Sequence, residues 1–132
     1  MDLTAFLKQN VKKPKTQKYV ASERIVGNDG KPVEWEIEAI NTQREDILRN
    51  QAMSHNGNDL NLNKYIGLLA AACTKYPDLG NVELQNSYGV MGADNLLKAM
   101  LLPGEYLRYA NKVKDVCGFN SDFNELVKDA KN

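Results

Sequence analysis

The side chains that could carry chemistry are few, and their spacing argues against a catalytic site. One histidine, His55, stands in the polar loop SHNGNDLN at 54–61, so any multi-histidine metal site is ruled out. A Ser-His or Cys-His pair could form only through that loop. Cys73 and Cys117 show no CxxC spacing, and both fall on apolar helix faces, where they read as small buried hydrophobes. Glu34, Glu36 and Glu38 recur at every second position and would share one strand face. Three such carboxylates could hold a metal or do acid–base work, but no His or Cys joins them. A solvated face opposing Lys18 or Arg24 across the ladder explains them. Gly89-Val90-Met91-Gly92 comes nearest to a phosphate-cradling loop, yet it lacks a preceding strand and a following lysine. Lys12, Lys13, Lys15 and Lys18 form a basic cluster without interleaved aromatics for base stacking, as a solvated linker would. The chain is expected to be non-enzymatic, with no cofactor and no metal.

Composition agrees. The 17 basic and 17 acidic residues of the 132-residue chain cancel, so no overall field draws it to nucleic acid or to an anionic membrane. Its apolar runs fall short of the roughly 18 residues of a spanning helix. The opening MDLTAFLKQN lacks the basic and apolar regions of a signal peptide, and a cytosolic protein is expected. The length suits one domain with its own core. We expect an α+β fold, predominantly α-helical, with an N-terminal arm and basic linker at 1–18, a β-hairpin at 19–40 and about five helices within 41–132.

The elements follow from local signals. Asp2 caps a short helix with Leu3, Phe6 and Leu7 on one face; a helix this short must dock on its own core or on another molecule. Strands at 19–26 and 33–40 flank the turn at 27–31, with Trp35 as a core anchor. Thr42-Gln43-Arg44-Glu45 has the form of a capping box and opens a helix through about Met53, with Ile47, Leu48 and Ala52 facing inward. From Leu62 to Tyr76 a broad apolar stripe predicts the central helix, its alanines admitting a close neighbour and Pro77 ending it. Asn81 caps a short helix reaching Tyr88. A last helix, capped by Ser121, uses Phe123, Leu126, Val127 and Ala130.

The densest signals lie at 86–109. Gly89 and Gly92 bracket two apolar residues in a tight turn. A helix then begins at Ala93, with Asp94 in its first turn and Leu96, Leu97, Met100 and Leu101 on one face. Pro103 ends it and starts a second helix carrying Tyr106, Ala110, Val113 and Val116 or Cys117, which stops at Gly118.

The run ELQNSYGVMGADNLLKAMLLPGEYLRY at 83–109, with Gly118-Phe119-Asn120 beyond it, resembles the signature of phage tail assembly chaperones of the XkdN-like family. The opening LTAFLKQNVKK, the KYV and PVEWEI strands and KYIxxLAAACTxYPDL extend the resemblance over most of the chain, while the 54–61 loop departs from it. The resemblance implies a non-enzymatic protein of the host bacterial cytoplasm. It would bind the tape measure protein, keep it soluble until major tail (tube) subunits polymerise around it, and be absent from the mature virion. The alternative is a structural tail or head-completion protein retained in the virion. Neither nucleic acid nor membrane is expected as a partner. Tyr88, Val90, Met91, Leu102, Tyr106 and Tyr109 are the candidate partner contacts; the alternative is that Tyr88, Met91 and Leu102 plug the domain's own core. Leu3, Phe6 and Leu7 are the candidate residues for self-association into a homo-oligomer.

Overall fold

Trp35 and Tyr109 meet edge to face at the centre of the molecule, with ring centroids 5.2 Å apart, and the remaining elements are arranged around that contact. The computed structural model describes residues 1–54 and 57–119. Its order is β1 (Gln17–Tyr19), β2 (Trp35–Ile37), α1 (Thr42–Gln51), α2 (Leu62–Ala72), β3 (Thr74–Tyr76), α3 (Val82–Ser87), α4 (Ala93–Met100) and α5 (Pro103–Val116). The fold is α+β and mostly helical, as the sequence predicts. His55 and the helix expected after Ser121 lie outside the described residues.

The sheet is antiparallel with β2 in the middle. Gln17, Lys18 and Tyr19 face Ile37, Glu36 and Trp35, which sets Lys18 opposite one of the three carboxylates. Trp35 and Ile37 are buried on the core face, as the alternation requires. Glu38 reaches Lys75 of β3 at 3.5 Å.

The strands are shorter than the expected 19–26 and 33–40. The glycine turn is present, with Gly30 at φ 76°, Gly27 N–H donating to the Lys31 carbonyl and Val33 N–H to that of Ile25. Between this turn and β1, however, the chain leaves the ladder so that Ala21 and Ser22 can be buried and Arg24 can reach α5. The central helix also stops earlier than expected, at Ala72. Thr74–Tyr76 forms the third strand instead, because Pro77 disfavours helical backbone at Tyr76 and a β-branched threonine suits the open edge of β2.

The first helix is capped by Asn41, whose Oδ1 accepts from Arg44 N–H, and not by the expected box at Thr42. Glu45 thereby turns inward. It accepts from the Tyr65 hydroxyl at 2.8 Å and from Arg49 Nε at 3.0 Å. With Glu45, Leu48 and Ala52 on the buried face, Ile47 is left exposed, contrary to expectation.

Helix α4 lies along α2. Leu96, Leu97 and Met100 of α4, with Leu101 just after it, are buried against Tyr65, Leu69 and Ala70. Gly67 sits where a β-carbon would come within 3.1 Å of Lys98 Cε and 3.4 Å of the Tyr106 hydroxyl. A glycine at this point lets α2 approach both later helices. Lys64 of α2 pairs with the buried Asp94 at 3.3 Å.

Candidate functional site

The turn before α4 is held by side chains rather than by burial. Helix α3 begins at the Asn81 cap, whose Oδ1 accepts from Leu84 N–H. It ends on Gly89 at φ 66°. Gly89 N–H donates to the Asn86 carbonyl and Val90 N–H to that of Gln85, the paired bonds of a Schellman terminator. Gln85 then bridges outward. Its Nε2 donates to the Leu79 carbonyl and its Oε1 accepts from Gly92 N–H at 3.1 Å. Asn95 Nδ2 closes the turn on the Met91 carbonyl. Every end of the turn is tied down, yet the Met91 side chain is 84% exposed. With the backbone fixed, only the side chain's own freedom is left to lose when a partner covers it.

The Pro103 corner is built around Glu105. Its Oε1 accepts from Leu102 N–H at 2.8 Å, satisfying a donor that Pro103 and the start of α5 leave without a helical acceptor. The β1–β2 excursion supplies its other partners. Ser22 Oγ donates to Oε2 at 2.7 Å, and Arg24 reaches both oxygens while its Nη2 also donates to the Met100 carbonyl at 3.0 Å. Arg24 first, then the Leu102 N–H and the Ser22 hydroxyl, hold the Glu105 carboxyl down to about 2. Arg24 is in turn raised, mainly by the same carboxylate, with a contribution from Tyr88. Leu102 itself is exposed.

The six predicted contacts therefore divide. Tyr88, Met91 and Leu102 are exposed. Val90 and Tyr106 are half-buried and pack against the core, and burial pushes the Tyr106 hydroxyl up to about 12. Tyr109 is not a surface residue. It is 0% exposed, lies between Tyr19 and Trp35 and hydrogen-bonds Thr74 Oγ1 at 2.6 Å, so it belongs to the core. Met91 and Leu102 flank α4, whose eight residues span about 12 Å at 1.5 Å per residue. The exposed set thus brackets one helix. The Leu3, Phe6 and Leu7 side chains of the arm are exposed too, and no residue from 1 to 18 is buried.

One feature lay beyond the reach of sequence patterns. The Ser22–Arg24–Glu105 clamp joins residues 81 to 83 positions apart; a glutamate three residues after Leu102, with proline between, signals only its local half. Val82 and Leu107 are also exposed, and Leu107 could have been found, since it falls off the stripe of Tyr106, Ala110 and Val113.

The described residues thus form a three-stranded sheet carrying five helices, with an exposed apolar turn and corner. Comparison with known proteins places it further. Residues 3–131 match the family model described as "Phage XkdN-like tail assembly chaperone protein, TAC", and the chain belongs to that family of phage tail assembly chaperones. It is 26% identical over 139 aligned residues to the phage-like element PBSX protein XkdN of Bacillus subtilis (strain 168), covering 99% of this chain and 94% of that one. The protein called uncharacterized protein YqbN, of the same organism, is also 26% identical, with 99% and 93% covered. A crystal structure of YqbN superposes with a TM-score of 0.81 at 26% identity, over 91% of this chain and 98% of that one.

Proposed function

We propose that this chaperone binds helical segments of the tape measure protein on the surface formed by Tyr88, Met91 and Leu102, and keeps that protein soluble until tail tube subunits polymerise around it. The observation that supports this best is the exposure of Met91 on a turn fixed by Gln85 and Asn95. A long apolar helical client would aggregate through its own faces, and reversible cover requires apolar contacts that are ready in the free chaperone. Methionine suits the task because its unbranched thioether adapts to varied helix surfaces. Val90 and Tyr106 would support the surface from below. Its place of action is the host cytoplasm before tail completion, with the tube protein as a later partner and the mature virion free of it.

The test is coexpression with the tape measure protein. Met91→Asp should leave cooperative melting unchanged, because the residue is largely exposed, and should lower the soluble fraction of the client several-fold. Leu102→Asp should do the same, whereas Lys31→Asp, in the remote hairpin turn, should not. Full rescue of solubility by both apolar-surface variants would overturn the assignment.

A further inference from the structure

Cys73 and Cys117 come from different parts of the chain and meet with their sulfurs 3.5 Å apart. Both are free thiols. Each is the C-terminal cap of its helix, Cys73 of α2 and Cys117 of α5, where the last turn adjusts more readily than a helix interior. Their surroundings differ. Cys73 is fully buried. Cys117 is half-buried and lines an open cavity of about 350 Å³ together with Ile40, Glu45, Arg49, Leu69 and Phe119. Cys117 therefore borders the cavity, and the buried Cys73 sulfur lies in contact with its own.

We propose that Cys117 and Cys73 form a dithiol–disulfide site that reacts with low-molecular-weight disulfides entering through this cavity. Cys117, as its thiolate, attacks one sulfur of the small disulfide. A Cys117 mixed disulfide forms and one small thiolate leaves. Cys73 then attacks the Cys117 sulfur, an internal disulfide forms, and the second small thiolate leaves. The two protons from the protein thiols end on the two small thiols, so the protein pair is oxidised and the small disulfide reduced. Burial assigns the roles. A charge on Cys73 would be costly in its apolar setting, so the S–H of Cys73 is retained and donates to Cys117, which favours the thiolate there. Closing the bond requires the sulfurs to approach from 3.5 Å to about 2.05 Å. The product ties the end of α5 to the junction of α2 and β3.

Native full-length protein is incubated with excess oxidised glutathione and its intact mass is followed. The expected product has lost the mass of two hydrogens, carries no glutathione, yields a peptide joining Cys73 to Cys117, and returns to the starting mass with dithiothreitol. Cys73→Ser should instead accumulate one glutathione on Cys117, because nothing resolves it, and Cys117→Ser should stay unmodified while folded. A wild-type protein that keeps its glutathione adduct, that pairs only between chains, or that fails to react when the urea-unfolded chain does, would overturn the proposal.

Discussion

Glu105 shows how one carboxylate can hold a corner that the backbone leaves incomplete. Leu102 cannot donate within a helix that starts at Pro103, and the carboxylate accepts from it while also receiving Ser22 and Arg24 from the β1–β2 excursion. Since its folded value of about 2 lies below the ordinary 4.5, the unfolded chain binds more protons between those limits. The clamp's contribution is then fully present above about pH 4.5 and is lost as pH falls toward about 2. Glu105→Gln keeps an oxygen for Leu102 N–H but removes the charge that Arg24 requires. Urea midpoints should therefore show the variant less stable than wild type near about pH 6, with the gap closing near about pH 2. A gap of constant size would mean that the charge contributes nothing. Tyr109 gives a second test at this scale, as its hydroxyl is buried and donates to Thr74 Oγ1, whose own proton goes to the Ala70 carbonyl. Tyr109→Phe removes one neutral hydrogen bond and keeps the ring against Trp35. It should cost about 1 kcal/mol by chemical denaturation, with no loss of client binding.

At the scale of elements, the helices were legible where a stripe and a stop signal agreed, and obscure where a contact distant in sequence decided. Leu96, Leu97, Met100 and Leu101 could be placed on a buried face from spacing alone, and Gly89 and Gly118 mark helix ends that both close as Schellman terminators. β3 could not be found this way, because Thr74–Tyr76 extends an apolar stripe unbroken from α2 and becomes a strand only by pairing with β2. The β1–β2 excursion was hidden for the same reason, since its alternation looks like strand until Glu105 draws Ser22 and Arg24 away. Of the candidate site, the turn and corner were legible but the facing of each side chain was not; Tyr109 shares the stripe of Tyr106 and lies one helical turn deeper. The glycines of the turn yield an ordered prediction. Gly89 has open space where a β-carbon would stand, so Gly89→Ala meets only the left-handed backbone penalty of about 1–2 kcal/mol. Gly92 has φ 94° and ψ 141°, a region nearly reserved for glycine, and its β-carbon would stand 3.2 Å from Asp94 Oδ1. Gly92→Ala should be the more destabilising, by about 3 kcal/mol, and thermal melts reversing that order would refute the ranking.

Over the whole molecule, the contrast between a well-packed core and an undocked arm bears on assembly. Residues 4–6 and 8–10 form two short 3₁₀ turns closed by local bonds, from Thr4 to Asp2 and from Asn10 Nδ2 to the Thr4 carbonyl. Leu3, Phe6 and Leu7 nevertheless remain exposed. The alternative of docking on the chain's own core is thereby removed, and a neighbouring copy is the occupant we propose. Burying these three side chains is worth about 1.5–3 kcal/mol each, roughly 5–9 kcal/mol per arm as an upper bound. Association costs about 4–15 kcal/mol in lost freedom, so one arm gives a weak contact, while arms exchanged reciprocally or around a ring act together. Light scattering should accordingly find a mass that rises with concentration for the full chain and stays monomeric for a chain lacking residues 1–11. That truncation should melt like the full chain because it removes no buried side chain, which separates loss of assembly from loss of fold. Phe6→Ser should reproduce most of the effect, since Phe6 is the largest apolar side chain of the three. Equal masses for all three proteins would show that the arm takes no part in self-association, and its apolar face would then be available to the client.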